Sequence, residues 1–189
     1  MPRPKANWRT AQLRIMLVDV MPHVWRQVLV PESISLPKLH SVILCSMGWQ
    51  GGHLHEFDFG SVRFGELDEE WPDEGLRSER GVRLSQAMGG WHHHFEHRYD
   101  FGDGWQHWVV VENLFEPDAP LKSARCIDGQ NACPPEDVGG TLGYADFQTA
   151  IADPNHEEHH NYLDWNGGPF DPTAFNIDDI NNALAQIKV

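Results

Sequence analysis

The chain has 189 residues, 40% of them hydrophobic, with eight Trp and nine Phe, which suffices for one real core and excludes global disorder. Its 28 acidic residues against 14 basic ones give a formal net charge of −14, and that counts against general nucleic-acid binding, where Lys and Arg must neutralise phosphates. No apolar run reaches the length of a membrane span, no apolar segment of signal-peptide type follows Met1-Pro-Arg-Pro-Lys5, and three cysteines (Cys45, Cys126, Cys133) cannot all pair, so a cytoplasmic protein with reduced thiols and no membrane partner is expected.

In chain order, alternation over 11–18 predicts a strand, and Val24 to Val30 a second, antiparallel to it and closed by Pro31. Ser35 reads as the N-cap of a helix with Pro37 in its first turn. Leu36, Leu39, Ile43 and Met47 recur at helical spacing, and Gly48 stops it. Cys45 falls within that apolar pattern as a small core residue. His53 to Phe59 predicts a third strand, turned by Gly60-Ser61 into Val62-Arg63-Phe64. Residues 65–81 read as an exposed loop, and Val82 to Met88 is ambiguous.

Two alternating runs, Phe95-His97-Tyr99-Phe101 and Trp105-His107-Val109-Val111, flank Gly102-Asp103-Gly104 and predict a β-hairpin. A three-residue loop would set Phe101 opposite Trp105 and Tyr99 opposite His107. The period of two puts His107 on the apolar face, where its ring needs a polar partner. From Pro117 to Gly143 the chain reads as a long loop, functional or ordered by local contacts. Helices are expected over Tyr144–Ala152, Glu157–Trp165 and Ile177–Ile187, the last capped by Asn176. Strands first and helices last give an α+β fold. One domain over 1–189 is expected, a mostly antiparallel sheet with helices packed on one face.

Two constellations carry chemistry. His53 and His55, two apart on a strand, would share a face and can chelate a metal; beside Phe57 and Phe59 they serve equally as a buried, hydrogen-bonded pair. Asp100, Asp103 and His107 offer carboxylate and imidazole ligands that suit Zn or another divalent transition metal. The alternative has Asp103 shaping the turn, Asp100 at the surface and His107 a satisfied core residue. His53, His55, Asp100, Asp103 and His107 are thus the candidate metal ligands, with Glu56 or Glu136 as candidate general base. Cys126 and Cys133 are too far apart in sequence for a usual zinc pair, and Cys133 to Gly140 reads as a rigid Pro- and Gly-fixed turn. The His92-His93-His94 run follows Gly-Gly-Trp and reads as half exposed. His156 and His160 share a helix face without forming His-Glu-x-x-His, so a solvated face is the expectation.

Several motifs occur in one order: Pro22-His-Val-Trp-Arg26, Met47-Gly-Trp49, His53-Leu-His-Glu-Phe57, Tyr99-Asp-Phe-Gly-Asp-Gly-Trp-Gln-His107, Cys133-Pro-Pro-Glu-Asp-Val-Gly-Gly140, Gly143-Tyr144 and Trp165-x-Gly-x-x-Phe-Asp-Pro172. The set closely resembles the plasmid pRiA4b ORF-3-like family over nearly the whole chain. That resemblance implies a single α+β domain and no established activity, in proteins found on plasmids and beside transposons and sometimes labelled resolvase-like. The resolvase label does not transfer, since an activated Ser with supporting arginines and a basic helical segment are missing from the sequence.

Three functions follow as expectations. The first is a binding or accessory domain for a protein or small-molecule partner, its surface where the hairpin tip, the His53–Glu56 strand and the Cys126–Gly140 loop meet. The second is a metal-dependent, hydrolase-like enzyme using the His/Asp cluster. In the third, Arg3, Lys5, Arg9, Arg14, Arg26 and Lys38 make a local basic face for the nucleic acid of a mobile element.

Overall fold

The computed structural model describes residues 8–67, 73–89 and 93–189; Arg3, Lys5 and His92 lie outside them. Among the described residues, eight strands form one sheet: β1 (Thr10–Leu17), β2 (Trp25–Pro31), β3 (His55–Asp58), β4 (Arg63–Gly65), β5 (Leu76–Ser78), β6 (His94–Tyr99), β7 (Trp105–Phe115) and β8 (Arg125–Gln130). Their order is β5-β4-β3-β6-β7-β1-β2-β8, antiparallel throughout except for β4 beside β5. Among the described residues, five helices complete an α+β fold: α1 (Leu36–Met47), α2 (Leu84–Ala87), α3 (Gly140–Ala152), α4 (His159–Asn166) and α5 (Ile177–Leu184).

Alternation decides the two faces of the sheet. Ala11, Leu13 and Ile15 on β1, Val28 and Val30 on β2, Phe95 and Tyr99 on β6, and Trp105 and Val109 on β7 are buried on the inner face. Helix α1 covers them with Leu36, Leu39, Val42, Ile43 and Met47. Gly48 ends this helix at φ +91, a left-handed conformation that other residues avoid. Ser35 stands at the N-cap without a side-chain capping bond, and its backbone forms a β-bridge with Arg83. The outer face carries polar ladders, with Arg14, Gln12 and Gln27 around Glu112 and with Arg63 and Arg98 around Glu56.

Arg26 is one of the polar residues on the inner face. It is 3% exposed and donates to the carbonyls of Ser46, Trp25, Gln130 and Asn131, which ties the end of α1 to β2 and to the segment after β8. At the sheet edge, Asn181 of α5 accepts from the Cys126 amide and donates to the Cys126 carbonyl. One amide side chain thereby stands in for a further strand.

Three expectations are corrected, and one open segment is settled. The hairpin pairs Tyr99 with Trp105 and His97 with His107, so the loop is 100–104 and Phe101 lies outside the ladder, 56% exposed. Asp100, at φ +54, begins the turn, and the Gly104 amide returns to its carbonyl. The segment 65–81 is not wholly a loop, since β5 joins the sheet there. The stretch 117–143 holds the edge strand β8, whose pattern is weak because Cys126 is the one fully buried residue on it. Val82 to Met88 resolves into the short helix α2. Among the described residues, no helix is long and apolar enough to cross a membrane.

Candidate functional site

Three segments converge at the end of the sheet: the loop 49–54 after α1, the hairpin tip 100–104 and the turn 133–140. Each junction has a visible cause. Trp49 Nε1 donates to the Pro134 carbonyl at 2.8 Å. Glu136 accepts from the amides of Gln50 (2.8 Å) and Gly51 (3.2 Å) and from the Tyr99 hydroxyl (2.8 Å). Asp103 accepts from the Gly139 amide at 3.1 Å. Gly140 packs so closely that a Cβ there would lie 2.3 Å from the Asp103 carbonyl oxygen, at φ +69. Burial and the Glu136 carboxylate both push the Tyr99 hydroxyl well above its ordinary range, so it stays a donor.

This clamp presents three side chains to one another. His53 Nε2 lies 3.1 Å from Asp137 Oδ1 and 3.7 Å from Asp100 Oδ2, and the three donor atoms all fall within 4.8 Å of one another. Every member sits next to, or near, a clamp residue: Asp100 follows Tyr99, Asp137 follows Glu136, and His53 lies two beyond Gly51. The second oxygen of Asp100 accepts from the amides of Gly102 (3.0 Å) and Asp103 (3.4 Å), so the first is aimed at His53 by its own loop. One imidazole nitrogen and two carboxylate oxygens on one side of a point form a donor set for a first-row divalent ion, with the remaining positions open to solvent or ligand.

The five expected ligands separate into two groups. His53 and Asp100 come together, joined by Asp137. Asp103 holds the Gly139 amide beside them. His55 and His107 point to the inner face of the sheet. His53 and His55 do not share a face because the strand begins only at His55; His53 is in the loop ahead of it.

Behind the clamp lies a row of imidazoles. His40 of α1 stacks on His55 with ring centroids 3.5 Å apart and planes 7° apart. His55 Nε2 meets Glu79 at 3.0 Å, and both residues are buried. His40 Nδ1 is 2.9 Å from His97 Nε2, and His97 Nδ1 is 3.2 Å from His107 Nδ1. His107 Nδ1 also lies 3.2 Å from the His97 carbonyl, while its Nε2 has no hydrogen-bond partner among the described residues. Burial disfavours charge on these rings: it holds His40 down at about 3 and His107 at about 4, and His97, wholly enclosed, well below the ordinary imidazole range. His107 does face inward, as its alternation implied, but imidazoles rather than carboxylates surround it.

The sequence alone nominates none of His40, His97, Glu79 and Asp137 as a site residue. His40 carried a signal, for it falls one turn after Leu36 and one before Ile43 on the buried face of α1. His97 alternates with Phe95 and Tyr99. Glu79 and Asp137 left no periodic trace, because each acts from a turn. The two candidate bases are occupied. Glu56 binds Arg63 (2.9 Å) and Arg98 (3.0 Å), and Glu136 is held by its three donors.

Residues 9–179 match the profile of the family described as plasmid pRiA4b ORF-3-like protein. The uncharacterized protein y4hQ of Sinorhizobium fredii (strain NBRC 101917 / NGR234) is 40% identical over 174 residues, spanning 92% of this chain and 89% of that protein. The crystal structure of a protein of unknown function, MM3350 from Methanosarcina mazei Go1, superposes with a TM-score of 0.82 at 29% identity, over 92% of this chain and 98% of that one.

Proposed function

The chain belongs to the plasmid pRiA4b ORF-3-like family, and from that premise we propose that it is a binding or accessory domain whose working surface is the clamped end of the sheet, where His53, Asp100 and Asp137 take a divalent transition-metal ion. The convergence of those three donor atoms within 4.8 Å supports this most strongly. One nitrogen and two oxygens without a thiolate suit Mn, Fe, Co or Zn better than Ca, which needs six or more oxygen ligands. A binding role is favoured over hydrolysis because both candidate bases, Glu56 and Glu136, are engaged in bonds that hold the fold. A nucleic-acid partner is disfavoured, since Arg9 pairs with Glu32, Arg14 with Glu112, and Arg26 is buried. Three free thiols support a reducing, cytoplasmic compartment, and the family's plasmid description supports an accessory role on a mobile element.

Calorimetric titration of untagged protein with Mn²⁺ and Zn²⁺ tests the ion site. Uptake of about one equivalent, abolished in His53→Ala and Asp137→Ala and kept in His107→Phe, is expected. Uptake that survives the loss of both rim residues would put the ion elsewhere.

A further inference from the structure

The hydrogens in the imidazole row can be ordered from one fixed point. The His97 carbonyl can only accept, so His107 carries its hydrogen on Nδ1 and leaves Nε2 bare. His97 Nδ1, facing that N–H at 3.2 Å, is then the acceptor, and His97 holds its own hydrogen on Nε2. That hydrogen is donated to His40 Nδ1 at 2.9 Å. Three neutral rings thus form a chain with one direction, His107 to His97 to His40, and its last bond joins strand β6 to helix α1.

We propose that this chain is an acid-opened latch between α1 and the sheet. An added proton has three nitrogens to choose from. At His40 Nδ1 it turns the N–H···N bond to His97 into an N–H···H–N collision. At His97 Nδ1 it collides in the same way with His107. At His107 Nε2 it creates a cation at a fully buried atom facing Trp49. His40 is the half-buried ring of the three and the one that leaves with α1, so it takes the proton when the helix lifts, and the bond lost is the one between helix and sheet. Among the described residues, no charge nearby is free to compensate. The titratable groups facing the row are His55 of β3, Glu79 after β5, Tyr99 of β6 and, behind Tyr99, Glu136 of the turn. Glu79 is engaged by His55 and Glu136 by Tyr99, and His55 lies flat against His40, so a proton on both rings sets two like charges face to face. The latch is independent of any ion at the rim.

Hydrogen exchange of the whole chain, corrected for intrinsic rate, tests this between about pH 7 and about pH 5.5. Opening of α1 amides is expected to rise about tenfold per pH unit once pH falls below the free imidazole range, the slope of the one proton that His40 takes, while β1 amides, exposed only by global unfolding, start far lower and follow the steeper slope of all three rings. In His40→Gln, whose side-chain oxygen still accepts from His97 but binds no proton, the rise disappears. Equal acceleration of α1 and β1, no acceleration, or an unchanged response in His40→Gln overturns the latch. Nitrogen NMR of the unmodified protein gives a second reading that needs no variant. Hydrogen on Nδ1 of His107 and on Nε2 of His97 is expected near neutral pH; hydrogen on Nε2 of His107 or on Nδ1 of His97 also overturns it.

Discussion

His53 lies six positions beyond the end of α1, yet His53 and His40 of that helix occupy opposite chemical situations. His40, with His97 and His107, stands in a row of rings enclosed by Trp49, Tyr99 and Phe57, where the neighbours are imidazoles and every lone pair is spoken for or sealed in. His53 lies at the surface between two carboxylates. The same side chain is therefore a neutral packing and hydrogen-bonding element in one place and, in the proposed site, a cation ligand in the other. Water access and the sign of the neighbours make the difference, not the residue type.

Acid should break the buried row first and hardest. His40, His97 and His107 all have native pKa values below the free value of about 6.5, so the unfolded chain binds more protons than the native one. Stability is complete above about pH 6.5 and drains away as pH falls, until the native rings themselves titrate, His107 at about 4 and His40 at about 3. Each ring contributes about 1.4 kcal/mol per pH unit in that window, and three give roughly 4 kcal/mol per unit, enough to unfold an ordinary domain near pH 5. Urea midpoints measured against pH read this slope directly; a flat profile between about pH 6.5 and about pH 4.5 would mean that the rings are not neutral in the native state.

Truncating the row at neutral pH comes next. His97→Ala removes a fully buried ring and both of its bonds, at a cost of about 3 kcal/mol in urea unfolding. Glu136→Ala addresses the boundary between the regions. It frees the Gln50 and Gly51 amides and the Tyr99 hydroxyl, which should lower stability by about 2 kcal/mol and weaken ion uptake at the rim by about tenfold, since the ligands lose their positioning. His53→Ala marks the opposite extreme, with stability changed by less than about 0.5 kcal/mol and ion uptake gone.

The sheet and α1 were legible because their signals are periodic and redundant. Ala11, Leu13 and Ile15 alternate, Leu36, Leu39 and Ile43 recur by turns, and a hydrophobic face tolerates only one register. The hairpin register was not legible, because Phe101 extends the alternation by one step beyond the ladder. Only the left-handed Asp100, which starts the turn early, decides against it. Short edge strands such as β5 and β8 are held by their neighbours more than by their own pattern. Of the rim, His53 and Asp100 could be nominated from the sequence, but Asp137 could not. Its place depends on Glu136 reaching across to Gln50, Gly51 and Tyr99, contacts between residues some 35 to 85 positions apart that leave no local pattern. The imidazole row was half legible: alternation aimed His107 inward, but nothing in the chain announced that its partner would be another histidine.

The distinction between the two groups of histidines is tested most directly by adding Mn²⁺ to the protein near neutral pH while following each ring by NMR. Paramagnetic broadening falls off steeply with distance, so an ion at the rim should erase the signals of His53 first, at sub-stoichiometric metal, and leave those of His97 and His107 to the last. Early loss of the His97 and His107 signals, with His53 still sharp, would place the ion in the buried row and contradict the account.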